Sequence, residues 1–327
     1  MRELTYRDAL KEAIIELMEK DKDIILIGED IGRGYEGTFG VTKGLYDIFG
    51  PERVKDTPIC EATIIGCAIG ASLLGLKTIS EVMFEDFIFV CMDHIANQAA
   101  KIKLISANQF KLNMVIRTPC GASGYGAQHS QCLESIFMHL PGILIVMPSN
   151  AYDAKGLLKT AVYAGDPVLF IEHQKLYKEK YEVPEEDYTI PFGKGNIVKE
   201  GSDYTVVAFS NMVNIAKTAA IELKNNYDVD IEIIDPRTLV PLDIDIIINS
   251  VKKTSRLAIL EEGVLRGGVG AEIASQIYEN VIEYLDFPVK RIASKNTIIP
   301  LSTPLEKAVI PNKEKFIQEI INSLKLV

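Results

Sequence analysis

No apolar stretch of this chain reaches the roughly 20 residues that a membrane-spanning helix needs. Nor does the chain have an excess of basic charge. Its 35 Lys and Arg stand against 45 Asp and Glu, a net charge of −10, which excludes nucleic-acid binding by bulk electrostatics. It lacks any CxxC pair. Its five cysteines (Cys60, Cys67, Cys91, Cys120 and Cys132) all lie in the first half, an odd count that predicts reduced thiols in a cytoplasmic protein. A zinc site and a disulfide framework are both disfavoured by that pattern. There is no low-complexity tract and no short-period repeat. The opening segment, residues 1–21, reads as an amphipathic helix containing acids, unlike a signal or transit peptide. The glycine-rich run GYEGTFGVTKG, residues 34–44, is not a nucleotide P-loop, because GxxxxGK[ST] is missing.

What is present is a globular balance, with 47% hydrophobic and 24% charged residues over 327 positions, long enough for two domains. Thr5 with Asp8 three residues on resembles a capping box. Ala9, Leu10, Ala13, Ile14, Leu17 and Met18 then fall on one helix face. Short apolar runs (DIILIGED, LKTISEV, LNMVIRT, ILIVM, PVLFIEH) alternate with helical patterns such as 86–101 and 151–163. That alternation predicts a parallel sheet covered on both faces. Residues 174–203 turn polar and charged and carry two prolines, which suggests an interdomain linker with a short irregular strand. After it the alternation resumes, with strands YTVVAFS, VDIEIID, RLAILEE and PVKRIAS and helices over 211–224, 243–252 and 270–284. The expected architecture is α/β: two three-layer αβα domains with mainly parallel sheets, at 1–180 and 204–327, joined by a linker over 181–203.

Four motifs bear on chemistry, and each has a plain structural alternative. Glu61 opens a run, Ala62 to Leu76, without any charged side chain. It is either an acid at a helix start near free amides or a sheltered carboxyl with a raised pKa that exchanges a proton with a ligand. GASGYGAQHSQC, residues 121–132, loosens the backbone after a strand. Its His129, among Gln128, Ser130 and Gln131, is a candidate acid–base or hydrogen-bonding residue, or an ordinary loop histidine. A Cys132–His129 nucleophile pair lacks an evident third residue. EEGVLRGGVGAEIASQI, residues 261–277, is a strand–turn–helix whose glycine spacing departs from the dinucleotide fingerprint GxGxxG, so packing or an interface competes with an NAD-binding reading. Phe84, Phe87 and Phe89 are either core or a stacking surface for a heteroaromatic ring.

Several segments occur together in one order: DTPICE, GASLLGLKTISEVMFEDF, DHIANQAAK, GAQHSQ, PSNAYDAKGLL, DPVLFIEH, DPRTLVPLD and GGVGAEIA. In these the chain resembles, over essentially its whole length, the beta subunit of the thiamine-diphosphate-dependent decarboxylating component of 2-oxo acid dehydrogenase complexes. DFIFVCMDHIANQAAK is most similar to the acetoin dehydrogenase branch.

The resemblance implies a pyrimidine-binding thiamine-diphosphate domain followed by a transketolase C-terminal-like domain. It implies that Glu61 hydrogen-bonds N1′ of the cofactor's aminopyrimidine and relays the proton that activates the cofactor. Phe87 matches the aromatic packed on that ring, Met83 and Ile59 line its pocket, and Glu29 is an acid near it. His129 matches a histidine facing the active-site channel, tied to substrate or to the incoming lipoyl group. Asp166, with carbonyls of TAVYAGDP, matches a structural potassium site of some relatives, although the acid is displaced here. The GDG motif by which such enzymes usually hold diphosphate and magnesium is absent from the chain. The resemblance therefore implies that a separate alpha subunit holds Mg²⁺ and the diphosphate, in an α2β2 assembly with a second beta subunit and a lipoyl-bearing acyltransferase as further partners. The expected substrate is pyruvate, acetoin or a related 2-oxo acid. An NAD-dependent oxidoreductase and a non-catalytic assembly subunit are the alternatives.

Overall fold

A computed structural model describes residues 1–324 and divides them into two compact units, Met1–Cys120 with Ile136–Phe192, and Gly121–Ser135 with Gly193 onward.

The first unit opens with strand β1 (Arg2–Thr5) and helix α1 (Tyr6–Lys20). Thr5 is the N-cap of α1, its hydroxyl accepting the Asp8 amide at 3.1 Å. That bond satisfies one of the amides a helix start leaves open. The expected apolar face of α1 is buried in full. Strands β2 (Ile24–Glu29), β3 (Val54–Thr57) and β4 (Lys77–Glu81) alternate with helices α2 (Leu45–Phe49) and α3 (Glu61–Leu73). A 3₁₀ turn (Glu85–Cys91) and a π-helical turn (His94–Ala99) then lead into α4 (Ala100–Ile105). The regular helix expected over 86–101 is thus three short helical forms in series. β5 (Met114–Cys120), α5 (Glu134–Met138), β6 (Leu144–Val146), α6 (Ala151–Val162), β7 (Val168–His173) and β8 (Lys180–Val183) complete the order. β6, β7, β5, β4, β2 and β3 lie side by side, all parallel. A parallel sheet needs cover on both faces, and β2, β5 and β7 are buried along their entire lengths.

α1 packs on α6. That contact contains two buried cations: Lys155 pairs with Glu12 and Glu16, and Lys159 with Glu16 and Asp187. The two ammonium groups escape the cost of burial because each meets two carboxylates.

The second unit has β9 (Asn196–Lys199), β10 (Tyr204–Ala208), α7 (Asn211–Tyr227), β11 (Ile231–Asp235), β12 (Thr238–Val240), α8 (Ile244–Thr254), β13 (Leu257–Val264), α9 (Val269–Val281), β14 (Lys290–Ser294), α10 (Thr303–Val309) and α11 (Lys313–Leu324). Its sheet runs β14-β13-β10-β11-β9, with only β9 antiparallel. The core beneath it gathers Tyr204, Val206, Ile231, Ile233, Leu260, Phe316 and Ile320.

The segment 181–203, expected as a linker, is ordered. β8 pairs antiparallel with β1, Ile190 is buried in the core of the first unit, and β9 extends the sheet of the second. Its polar composition reflects edge positions with one open side, and the unit boundary falls at Phe192/Gly193.

Candidate active site

The carboxyl ends of the parallel strands in the first unit carry four buried charged side chains. β4 ends on Glu81, β2 on Glu29, and β5 and β7 carry Arg117 and Glu172 near theirs. In open α/β sheets this is the edge where ligands bind.

Arg117 is 2% exposed and bridges two acids. Its Nε and Nη2 donate to the two Glu172 oxygens at 2.7 and 2.8 Å, and its Nη1 donates to Glu81 at 2.8 Å. The Tyr177 hydroxyl completes the cluster with a 2.7 Å bond to Glu172. Burial opposes the Arg117 charge, but Glu172 and Glu81 together hold its pKa above the ordinary guanidinium value. The bidentate geometry and the matched charges make this a structural clamp between β4, β5 and β7. The sequence reading missed it. The available signal was opposite charges, Arg117 in LNMVIRT and Glu172 in PVLFIEH, inside two otherwise apolar strands.

Glu29 has no such partner. It is 6% exposed, and its Oε2 is buried without a hydrogen bond. Burial first, then repulsion from Glu61, Asp30 and Glu81, pushes its pKa up to about 7. The electrostatic coupling joins Glu29 with Glu61. Glu61 is the first residue of α3, is 8% exposed, and makes no hydrogen bond or ion pair among the described residues. The N-cap of α3, Cys60, gives no side-chain capping bond; its Sγ meets the Thr63 hydroxyl at 3.0 Å. The open amides at the start of α3 lend Glu61 a favourable field, so the helix-start reading and the proton-exchange reading both stand.

Phe87 and Met83 lie on the segment that follows β4. Phe87 is half-buried and meets Phe84 edge-on, with centroids 5.7 Å apart. The aromatic series continues from Phe84 to Phe39 at 5.8 Å and from Phe39, stacked, to Tyr177 at 4.9 Å. Met83 is buried, and its sulfur accepts the Thr38 hydroxyl at 2.7 Å. Ile59, expected to line the same pocket, is 75% exposed in this chain. His129 is half-buried and lies in the 121–135 segment, which belongs to the second unit; its amide donates to the Gly126 carbonyl at 3.3 Å.

Two further expectations meet specific geometry. Asp166 Oδ1 is 2.5 Å from the Lys103 ammonium, so its carboxylate faces a side-chain cation in this chain. At the start of α9, Glu261 Oε2 accepts the Gly270 amide at 3.0 Å. A buried carboxylate thus occupies the amides that a dinucleotide's pyrophosphate would need, which speaks against NAD.

The buried pair Glu29 and Glu61 and the aromatic edge of Phe87 fit an aminopyrimidine, a flat ring with nitrogens that exchange protons. Residues 2–180 match the family described as "Transketolase, pyrimidine binding domain", and residues 193–316 match "Transketolase, C-terminal domain". The chain is 43% identical over 319 residues to the pyruvate dehydrogenase E1 component subunit beta of Rickettsia felis, covering 97% of each. It is 41% identical over 336 residues to the acetoin:2,6-dichlorophenolindophenol oxidoreductase subunit beta of Bacillus subtilis, covering 99% of this chain and 98% of the relative. A solved structure titled "Split gene transketolase, inactive beta4 tetramer" superposes with a TM-score of 0.82 at 23% identity, over 99% of each chain, and so shares the fold. This chain belongs to the transketolase-like family of thiamine-diphosphate-dependent 2-oxo acid and acetoin dehydrogenase beta subunits.

Proposed function

We propose that this chain binds the aminopyrimidine half of thiamine diphosphate and runs its proton relay, as the beta subunit of an α2β2 component that cleaves pyruvate, acetoin or a related 2-oxo acid and passes the acyl group to lipoamide. The observation that carries this reading is the uncompensated carboxyl pair. Glu29 is pushed to about 7 by burial and by Glu61, with one oxygen left without a partner. Buried polar groups are normally satisfied. An orphaned acid in the range of neutral pH fits a site completed by a ligand that exchanges protons.

When bound, thiamine diphosphate supplies the carbon nucleophile and electron sink of the reaction. The residues of this chain have simpler tasks. Glu61 exchanges a proton at its carboxylate with the ring nitrogen N1′ of the pyrimidine. Glu29 keeps a second proton close by and limits the net charge of the pair. Phe87 and Met83 offer an apolar wall that orients the ring and excludes water. Ile59, exposed in the isolated chain, is free to be covered by ligand or partner. His129 hydrogen-bonds substrate or the incoming lipoyl group.

With no GDG motif here, Mg²⁺ and the diphosphate fall to an alpha subunit. A second beta subunit and a lipoyl-bearing acyltransferase complete the proposed partners. No helix of the described residues is long and apolar enough to cross a membrane, and a cytoplasmic complex is the proposed setting.

The test is turnover of the assembled complex with an artificial electron acceptor, on pyruvate and on acetoin separately, with and without thiamine diphosphate and magnesium. Glu61→Gln should assemble normally and lose at least the roughly 10²–10⁴ of a general acid–base step. Wild-type turnover in that variant would overturn the mechanism.

A further inference from the structure

The glycine-rich segment that carries His129 is held by acids that the relay does not use. Gly121, Gly124 and Gly126 all have left-handed φ values, 89°, 88° and 79°. Such a stretch has many conformations to lose on ordering. Two backbone amides within it are nevertheless fixed. The Ala122 amide donates to Glu262 Oε1 at 2.7 Å, and the Gly124 amide donates to Glu306 Oε2 at 2.8 Å. The two acids come from separate elements, β13 and α10, and are 7% and 4% exposed. Ala122 between them is fully buried against Ile299, Val309 and Ile310.

A third acid closes the other end of the segment. Glu134 is 2% exposed and rests against Gly263, where an added Cβ would come within 3.2 Å of its Oε1. Its Oε2 has no hydrogen-bond partner, and burial with repulsion from Glu261 and Glu262 pushes its pKa up to about 8.

Collecting buried carboxyl groups in one place is costly, because each loses hydration and repels the others. A carboxylate accepting a backbone amide recovers part of that cost through a charge-assisted bond. If the segment served only to join two elements, one apolar anchor such as Ala122 would suffice. Two acids that grip alternate amides, one on each side of residue 123, fix the direction of the chain as well as its position. The Gly126 carbonyl then accepts the His129 amide, so the histidine's turn is built on the gripped stretch.

We infer that Glu262 and Glu306 are positioning residues that clamp the backbone of 121–126 and thereby set the place of His129 for its step in the reaction. The inference rests on the active-site reading of His129, and its test separates the two.

The test uses the assembled holoenzyme. Hydrogen exchange across 121–131 is compared among wild type, Glu262→Ala, Glu306→Ala and the corresponding Gln variants. Acyl transfer to lipoamide is measured in parallel. The alanine variants should exchange about tenfold faster in 121–131 with β10 unchanged, and should lose about tenfold in kcat with KM for the 2-oxo substrate held. The glutamine variants keep an acceptor oxygen and should restore most of both. Unchanged exchange in both alanine variants overturns the clamp. Faster exchange with unchanged kcat overturns its role in positioning, and equal losses in the Gln and Ala variants assign the effect to charge. If the alanine variants do not assemble, the wild-type amides decide: Ala122 and Gly124 exchanging at open-loop rates overturn the proposal. A fully active His129→Ala overturns the reading of His129, while the exchange data still report on the clamp.

Discussion

Glu81 and Glu29 end neighbouring strands of the same sheet, β4 and β2, and both are almost fully buried. Burial raises the pKa of both carboxyls. At Glu81 the bond from Arg117 works against that rise. At Glu29 every neighbouring charge adds to it. The fold can place a cation at this edge, and it does so for one acid and not for the other. A paired buried acid is part of the scaffold; an unpaired one of the same type, one strand away, is kept ready for something else to complete. The pair shows that burial alone does not separate structure from function, whereas the presence or absence of a counter-charge does.

The comparison is broken most severely from the Arg117 side. Arg117→Leu leaves Glu81 and Glu172 buried together without a cation, which should cost about 3–5 kcal/mol and lower Tm by about 10 °C in thermal denaturation. A stability loss under about 1 kcal/mol would show that the clamp is dispensable.

Glu29→Gln should behave in the opposite way. Turnover should drop by about tenfold or more, and the limb of the kcat/KM profile near pH 7 should disappear. Stability should hold or rise, and the sign follows from linkage. With a pKa of about 7, folded Glu29 retains a proton that the unfolded chain has already released above its ordinary carboxyl range. The folded state therefore loses stability as pH rises from about 4.5 through 7, and the glutamine removes that loss. Melting curves at pH 5 and pH 8 would show it; equal shifts at both would count against the perturbed acid.

Glu134→Gln sharpens the contrast further, since burial and its acidic neighbours raise this group to about 8. The same sign applies over a window reaching higher. The variant should gain on the order of 1–3 kcal/mol near pH 9 and little near pH 5. The smallest effect belongs to an ordinary cap: Thr5→Ala should cost about 1 kcal/mol without touching turnover.

The α/β order was legible because strands buried on both faces read as apolar runs and α1 shows a helical period. Positions 211–227, 244–254 and 269–281 are helical close to where the pattern places them. Other features lie beyond local pattern. The segment from Glu85 to Ile105 keeps a helical rhythm while switching among 3₁₀, π and α forms, because packing chooses the hydrogen-bond partner. β8 is polar and ordered, since its partner β1 lies almost the full unit away in sequence. At the site, Glu61 was conspicuous as a lone charge before an apolar run. Glu262 and Glu306 were not, because their meaning depends on amides 140 and 182 residues distant.

Gly66, five positions into α3, faces the ring of His94 at the start of the π-helical turn, and a Cβ there would stand 3.2 Å from His94 Cδ2. α3 can therefore be regarded as a rod whose depth of insertion is set by a stop. With a rise of about 1.5 Å per residue, Glu61 sits roughly 7.5 Å along the axis from that stop. One missing methyl group thus helps to set the height at which the proton-carrying end of the rod comes to rest.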